Sequence, residues 1–403
     1  MRRGFSFDYR SCPRSPRIII ALAMLVVCAS LAALRSAANA DESIAAAQPM
    51  VITLAPIPSE LMWSRLGAEV AYVDLLPDGR IAVLGGKPRG PDGYLRLIDI
   101  KTGQEIYYYV PNTDGFGGDD DGWADVAVLQ DAVFIYFGGG WLRRGTIDAH
   151  SATGSSVFPN EGIELHPTGA SVGAMVADGN SVLVGWGGLT DSDQGDDCGT
   201  GPVVARLSSD GRELWRWQDT AEKFAFPNDI AVLADGTILV LVEGYPKGPA
   251  GVGWNFCPND REYLVALAPD GREIGRLDLP GDMSPFPLVL SRDGTEVLAT
   301  DNAPDGNLSA ILHIHMEADR ILMESVDVAG KVPDVRNHRA LVTDLDGGGY
   351  RLIIFPGDVA TLDSDNNVLG RSLPKIDRHR CSIASHRGLV CWDKDKLTIV
   401  PLR

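Results

Sequence analysis

The sequence lacks several features that mark common classes of protein. Lysine and arginine total 36 against 54 aspartate and glutamate residues, so the formal net charge is −18. There is no basic patch and no stripe of alternating aromatic and basic residues, and aromatic residues make up only 7% of the chain. We therefore do not expect nucleic acid or an anionic membrane surface as a partner.

The sequence also lacks the patterns of a helical or nucleotide-binding enzyme. No stretch carries a convincing helical period, which excludes an α/β fold. No serine, histidine and aspartate set has a nucleophile signature, and no phosphate-binding glycine loop leads from a strand into a helix. With 45 Gly, 25 Pro and 45% hydrophobic residues, the chain is predicted to be rich in turns and to bury a large core.

The first 40 residues resemble a secretory signal peptide. Several arginines precede an apolar run over residues 18–34, and Ala38-Asn39-Ala40 provides a small-residue cleavage site. We predict a signal peptide over residues 1–40 and one domain over residues 41–403, periplasmic or secreted, with no membrane span after cleavage. An uncleaved anchor is the alternative, because the apolar run is just long enough to cross a bilayer.

A strand-turn-strand phrase recurs through the rest of the chain. In its clearest copy, residues 226–244, Ala234-Asp235-Gly236 separates two β-rich apolar runs, which is a strong hairpin signal. Seven copies of this inner pair begin at Ala71, Trp123, Gly173, Asn228, Phe286, Arg339 and Cys381. An outer pair around a polar turn follows most copies, clearly from Tyr94, Val203, Tyr263 and Val359, and more weakly over residues 146–158 and 311–328.

Four strands per unit, at a period of roughly 40–58 residues, predict an all-β domain, a single β-propeller of seven four-stranded blades. The last unit supplies three strands, so the lone strand at residues 50–54 is predicted to complete it and close the ring. Six or eight blades stay open as alternatives, because the second and last units are weakly marked.

The strand order predicts two different faces. The turn face carries the connections from the first to the second strand and from the third to the fourth, and we expect only tight turns there. The loop face carries the starts of the first strands and the connections from the second to the third, including the long loops at residues 187–202 and 244–262. Long loops usually carry function, so the loop face is the predicted working face.

Four cysteines follow the leader, an even number that favours two disulfides in an exported chain. Cys198 and Cys257 lie in two long loops of neighbouring units. Cys381 and Cys391 flank a short hairpin as directly opposed residues, whose Cα atoms lie about 4.5 Å apart in a non-hydrogen-bonded pair. We predict one bridge from each pair.

Polar residues precede the innermost strands, where they are expected to converge on the mouth of the central channel. The candidate ligand-binding residues are Trp123, His166, Arg336 and Arg380. Candidate ligands of a divalent cation are Asn228, Asp229 and Asp125, and candidate catalytic residues are His338, His379 and Arg339. The alternative is a polar channel lining with no further role.

An acidic run before the second inner pair resembles the calcium loop of FG-GAP repeats. Asp119, Asp121 and Asp125 match its alternating oxygen ligands, whereas Gly117 stands at the first ligand position. The resemblance implies Ca²⁺ or another divalent cation as a cofactor. A similar run at residues 363–367 aligns with the outer turns and is predicted to be a turn.

The outer pairs are similar to repeats of the PQQ-binding-like superfamily, above all ARLSSDGRELWRW at residues 205–217. That group repeats a tryptophan docking motif in each blade, which here only Trp215–Trp217 matches. No vicinal cysteine pair or metal triad accompanies it, so PQQ is not expected. Pro227-Asn228-Asp229 is similar to the metal-ligating residues of gluconolactonase-like propellers.

Two functions are consistent with these patterns. The first is an exported protein that binds a small molecule or an extracytoplasmic protein through the loop face and channel mouth, favoured by the asymmetry of the faces and the incomplete catalytic set. The second is a metal-dependent hydrolase of lactonase or esterase type. In it, a cation at Asn228 and Asp229 would polarise a carbonyl while His338 or His379 carries the proton.

Overall fold

Every regular element of the described chain is a β-strand. The structure, a computed structural model, describes residues 50–53, 69–75, 80–86, 93–99, 105–109, 125–130, 132–136, 141–146, 163–164, 171–188, 200–222, 225–244, 261–280, 283, 285, 287–302, 307–332, 340–345, 348–354, 358–372, 381–384, 388–393 and 396–401. All of them belong to one unit, Gln48–Arg403, and the other unit, Met1–Ala47, lies outside the described residues.

The described strands form seven four-stranded antiparallel sheets, one for each repeat found in the sequence. The first contains β2 (Glu69–Leu75), β3 (Arg80–Gly86), β4 (Gly93–Asp99) and β5 (Glu105–Tyr109). The second contains β6 (Asp125–Val128), β7 (Ala132–Tyr136), β8 (Trp141–Thr146) and β9 (Ile163–Glu164). The third contains β10 (Ser171–Asp178), β11 (Ser181–Gly188), β12 (Thr200–Ser208) and β13 (Glu213–Gln218).

The remaining sheets follow the same order. The fourth contains β14 (Ala225–Val232), β15 (Ile238–Gly244), β16 (Glu262–Leu267) and β17 (Glu273–Asp278). The fifth contains β18 (Val289–Leu290), β19 (Glu296–Asn302), β20 (Leu308–Glu317) and β21 (Arg320–Asp327). The sixth contains β22 (Ala340–Asp344), β23 (Tyr350–Ile354), β24 (Asp358–Leu362) and β25 (Val368–Ser372). The seventh contains β26 (Cys381–Ala384), β27 (Gly388–Asp393), β28 (Lys396–Pro401) and β1 (Met50–Thr53).

The N-terminal strand completes the last sheet, as the sequence predicts. β1 pairs with β28, with Met50 opposite Ile399 and Thr53 opposite Lys396. The innermost strand of the seventh sheet, β26, contacts the innermost strand of the first, β2. The chain therefore brings its first and last repeats side by side.

The hydrophobic cores lie between neighbouring sheets. Side chains alternate between the two sides of a strand, and the fourth sheet packs against the third on one side and the fifth on the other, so its second strand is apolar on both sides. In β15, every residue from Ile238 to Val242 is fully buried. Leu239 and Leu241 pack towards the fifth sheet, whereas Ile238, Val240 and Val242 pack towards the third.

Tight turns on the turn face link one sheet to the next. Ala234 N–H donates to the carbonyl of Gly294 at 2.8 Å, and Arg292 N–H donates to Asp344 Oδ1 at 2.9 Å. The predicted turn at residues 363–367 is confirmed, because Asp363 Oδ1 accepts the N–H groups of Asp365 and Asn367.

Two predictions about the second sheet are wrong. Its described outer strands are Trp141–Thr146 and Ile163–Glu164, so the bounds predicted for the outer pair, residues 146–158, are wrong; residues 147–158 lie outside the described residues. Sixteen residues separate the two strands, so the turn face does not carry tight turns alone. Burial accounts for the position of β8, because Leu142 is fully buried against the core shared with the third sheet.

Cys381 lies directly opposite Cys391 across β26 and β27, which confirms the predicted register. The structure describes their backbone only, so the bridge itself stays a prediction. Among the described residues, no helix is long and apolar enough to span a membrane.

Candidate functional site

The described part of the predicted site lies on β14 and at the start of β6. Asn228 and Asp229 are in the middle of β14 (Ala225–Val232), so the prediction that they precede the innermost strand is wrong: the strand begins at Ala225 and pairs with β15 from there. The backbone of Asp125 begins β6, the corresponding strand of the second sheet. The other candidates lie outside the described residues and stay predictions: Asp119, Asp121, Trp123, His166, Cys198, Cys257, Arg336, His338, Arg339, His379 and Arg380.

The chain that leads into β14 and forms its first residues packs closely against glycines of the third sheet. A Cβ on Gly173 would overlap the carbonyl oxygen of Pro227, and one on Gly187 would overlap that of Ala225. A Cβ on Gly201 would overlap the carbonyl oxygens of Asp219 and Glu222. Because these glycines lie on β10, β11 and β12, the segment runs closely over three strands, which fixes the position of the residues that follow it.

Asn228 lies at a β-bulge in β14. The register of β14 against β15 shifts between Pro227 and Asp229, so Asn228 is the extra residue. The same shift occurs around Gly173 in the third sheet and around Ala71 in the first. Of these three bulge residues, Asn228 alone has a polar side chain. Bulges redirect side chains and are frequent beside functional sites.

The carboxamide of Asn228 carries an unused donor. The residue is half-buried, and its Nδ2 atom is buried without a hydrogen-bond partner among the described residues. A buried polar group without a partner costs about 1–3 kcal/mol of stability. Such groups are uncommon in folded proteins, and Trp186 Nε1, Glu262 Oε2 and Asn366 Oδ1 share this state among the described residues. Of these four, Asn228 is the one that the sequence predicts at the site.

The carboxylate of Asp229, in contrast to the Asn228 carboxamide, accepts hydrogen bonds within the fold. Its Oδ2 accepts the N–H of Leu288 in the next sheet at 2.7 Å, and its Oδ1 accepts the N–H of Ile230 at 2.8 Å. Leu288 and Ile230 are fully buried. The carboxylate therefore satisfies two buried backbone donors and connects the fourth sheet to the fifth.

A cation at Asp229 would have to compete with these two donors. No group of three or more histidine, cysteine, aspartate or glutamate residues in the described chain could hold a metal ion. The side chain of Asp125 lies outside the described residues, so the predicted cation site stays a prediction.

A buried charge network stands beside this segment, between the third and fourth sheets. Asp219 Oδ2 accepts the hydroxyl of Tyr263 at 3.0 Å and pairs with Arg276 Nη1 at 2.7 Å, while Asp219 Oδ1 accepts the N–H of Ala221 at 3.0 Å. The Arg276 guanidinium lies over the Tyr263 ring, 4.6 Å from its centroid. The network ties the segment before β14 to the outer strands of the fourth sheet.

The network has marked effects on proton affinity. Burial raises the pKa of Asp219, but hydrogen bonds from Arg276, Ala221 and Tyr263 outweigh burial and hold the pKa below its ordinary value. Burial and the Asp219 carboxylate raise the pKa of Tyr263, so the phenol stays protonated and donates. Asp219 thus remains a carboxylate whose donors stay in place across neutral pH.

The tryptophan motif docks onto the next sheet, as its resemblance implies. Trp215 Nε1 donates to the carbonyl of Pro269 at 2.9 Å. Gly271, with φ +85°, lies so close beneath the ring that a Cβ there would be 2.5 Å from Trp215 Cε3. Trp217 Nε1 donates to Glu273 Oε2 at 3.0 Å. The motif therefore joins two sheets in this chain.

A second polar chain joins the fifth and sixth sheets. His313 Nδ1 lies 3.0 Å from Glu296 Oε2, and its Nε2 lies 2.7 Å from the Tyr350 hydroxyl. Burial, with the charges of Glu296 and Asp344, raises the pKa of Tyr350. His313 therefore connects the two sheets through both of its ring nitrogens.

Comparison with known proteins identifies the architecture. No protein-family model matches the chain, and no curated protein matches it in sequence. Its structure is similar to hydrazine synthase from Kuenenia stuttgartiensis, with a TM-score of 0.52 and 9% identity over 84% of this chain and 98% of that one. It is also similar to Raptor from Chaetomium thermophilum, with a TM-score of 0.50 and 11% identity over 88% of this chain and 28% of that one.

A third solved structure is the β-propeller domain of Swd1 from Myceliophteria thermophila, with a TM-score of 0.47 and 11% identity over 87% of this chain and 99% of that one. The consecutive four-stranded antiparallel sheets, with the last completed by the N-terminal strand, make the chain a β-propeller. Identities this low establish the fold alone, so the function of this propeller must be argued from its own residues.

Sequence reasoning missed the Asp219 network and the different roles of Asn228 and Asp229. β17 pairs with β16 so that Arg276 lies opposite Val265, two residues from Tyr263 and on the same side of the sheet. The contact between Arg276 and Tyr263 could therefore have been anticipated from the register. Asp219 comes from another repeat, and no local pattern announces its approach. The bulge that separates Asn228 from Asp229 leaves no sequence signal either.

Proposed function

We propose that this propeller is an exported protein that binds a ligand or a partner protein through its loop face, at the channel mouth around Asn228. A propeller generally supports a binding or scaffold role. The observation that carries this location is the half-buried carboxamide of Asn228, whose Nδ2 has no hydrogen-bond partner among the described residues, on a β-bulge in the half of β14 nearer the predicted loop face.

The surroundings of Asn228 support a preformed site. The preceding segment is held by close-packed glycines and by the Asp219 network, and Asp229 is fixed by two backbone donors. A half-buried side chain on rigid strands loses little freedom on binding, which favours affinity. The long connections at residues 189–199 and 245–260 begin on the same face and would supply further contacts.

Export and extracytoplasmic partners rest on the predicted leader and the acidic composition. Both are consistent with a periplasmic or secreted binding protein.

The test is a ligand-observed NMR screen of small fragments on purified protein of residues 41–403, without the predicted leader. Asn228→Arg would block the site, and Asn180→Arg, at an exposed turn between β10 and β11 on the turn face, is the matched control. We expect hits whose binding is lost in Asn228→Arg and kept in Asn180→Arg. Hits indifferent to Asn228→Arg, or no hits at all, would contradict binding at this position.

A further inference from the structure

We propose that Arg216, on the outer strand of the third sheet, binds a carboxylate group that comes from a small organic acid or from an acidic side chain of a partner protein. The site is separate from Asn228, so the proposal goes beyond the proposed function and does not depend on it. It rests on a comparison with Arg276, which occupies the same position in the fourth sheet and pairs with a carboxylate of this chain.

Arg216 and Arg276 are equivalent residues of two repeats. β13 pairs with β12 in the same register as β17 pairs with β16, including a bulge after Glu213 in one sheet and after Glu273 in the other. Nε and Nη2 of Arg216 donate to Glu213 at 3.1 and 2.6 Å. Nε and Nη2 of Arg276 donate to Glu273 at 3.1 Å each. Each guanidinium therefore uses two nitrogens on its own strand and has Nη1 left over.

The two arginines differ in the partner of Nη1. Arg276 Nη1 pairs with Asp219 Oδ2 at 2.7 Å, whereas Arg216 Nη1 has no hydrogen-bond or ion-pair partner among the described residues. Asp219 belongs to the connection between β13 and β14, residues 219–224, DTAEKF. The corresponding connection between β9 and β10, residues 165–170, is LHPTGA. The connection equivalent to the one that supplies Asp219 therefore contains no carboxylate for Arg216.

The guanidinium of Arg216 is held in place and is accessible. Its Cζ lies 5.2 Å from the centroid of the Trp186 ring, within the range of a cation–π contact, and the corresponding distance from Arg276 to Tyr263 is 4.6 Å. The Trp186 ring is buried, whereas the Arg216 side chain is 42% exposed. A ligand can therefore reach the guanidinium, and a planar group held in this way loses little freedom on binding.

The chemistry of the position favours a carboxylate over other ligand groups. Arginine carries donors only, so its partner must be an acceptor, and its bonds to anions are the strongest that it forms. Glu213 already contacts the same guanidinium, and its charge repels a doubly charged phosphate more strongly than a singly charged carboxylate. The fourth sheet shows that two carboxylates, Glu273 and Asp219, fit around one such guanidinium.

The test is a ¹⁵N NMR titration of protein of residues 41–403 at low ionic strength. The probes are acetate, a capped Gly-Asp-Gly peptide, the capped Gly-Asn-Gly peptide and inorganic phosphate. The reporters are the Nε–H signals of Arg216 and Arg212, which are assigned by their loss in Arg216→Gln and Arg212→Gln. Arg212 is the matched control, because it is an exposed arginine of the same sheet with no aromatic ring contact among the described residues.

We expect acetate to shift the Arg216 signal saturably, with an affinity at least about threefold higher than at Arg212, because the ring beneath Arg216 holds its guanidinium. In Arg216→Gln the acetate response of the backbone N–H of Trp217 should be lost, and in Arg212→Gln it should remain. The peptides distinguish the sources of the carboxylate. Tighter binding of the Asp peptide than of acetate, with none of the Asn peptide, assigns it to a partner protein, and weaker binding assigns it to a small organic acid.

Three outcomes would overturn the proposal: equal responses at Arg216 and Arg212, a Trp217 response that survives in Arg216→Gln, or no response to any probe. A stronger response to phosphate than to acetate would overturn the carboxylate class. The fragment screen with Asn228→Arg decides the proposed function separately, because it reports on a different position.

Discussion

Replacing Asp229 with alanine separates a structural carboxylate from a metal ligand. The change removes two charge-assisted hydrogen bonds, to Leu288 N–H and Ile230 N–H, and leaves both buried donors without an acceptor. A hydrogen bond to a charged group contributes about 1.5–3 kcal/mol. The bond to Ile230 joins adjacent residues and restrains little, so we expect a total loss of about 2–4 kcal/mol in the free energy of unfolding.

This loss should be measurable in two ways. Guanidinium denaturation followed by tryptophan fluorescence gives the free energy directly. Unfolding entropies near 2.1 cal/mol/K per residue, over roughly 350 residues, convert a loss of about 3 kcal/mol into a fall of about 4 °C in Tm. Asp270→Ala is the control, because Asp270 lies in an exposed turn and accepts one N–H at 3.1 Å. Its loss should stay below about 1 kcal/mol.

The metal question is settled by repeating the comparison with EDTA and with added Ca²⁺. The hydrogen-bonding role predicts the same loss in Asp229→Ala under both conditions. A loss confined to the calcium-containing samples, or wild-type protein that EDTA weakens to the level of the variant, would refute this reasoning and restore the metal interpretation.

Three further predictions test other parts of the structure. Asp219→Asn should lower the free energy of unfolding by about 2–3 kcal/mol at neutral pH. Because the folded pKa of Asp219 lies below its ordinary 3.8, the difference from wild type should persist above about pH 4 and shrink as the pH falls through the folded value; a difference that grows in acid would contradict this assignment. Gly271→Ala should cost about 2–4 kcal/mol, since its Cβ meets the docked tryptophan, whereas Gly330→Ala, at φ +69° in open space, should cost about 1 kcal/mol in the same denaturation assay. Mass spectrometry without reduction should find Cys381 linked to Cys391, and free thiols there would refute the bridge.

The sequence predicts most of the scaffold because most hairpins are specified locally. Asp-Gly turns between β-rich runs place the inner pairs, and Gly236 adopts the positive φ of 87° that such a turn requires. The N-terminal strand could be assigned to the last sheet because an incomplete repeat leaves an edge that needs a partner. The failure in the second sheet arose where the sequence gives no tight turn and the position of a strand depends on the burial of Leu142.

The candidate site could be predicted only in part. Sequence reasoning placed Asn228 and Asp229 before the innermost strand and treated them as equivalent ligands, whereas both lie within β14. Their separation depends on the bulge and on the backbone donor of Leu288, which comes from the next sheet. Partners contributed by distant repeats are set by how the sheets pack, and no spacing within one repeat encodes them.

The central claim is that the Asn228 carboxamide serves ligand binding and does not stabilise the fold. The most direct measurement is the free energy of unfolding of Asn228→Leu, which replaces the carboxamide by an apolar group of similar shape. Because the change removes a buried donor without a partner in the described structure, we predict that stability is unchanged or rises, by up to about 3 kcal/mol. A loss of more than about 1 kcal/mol would mean that the carboxamide is already satisfied within the fold, and would contradict the claim.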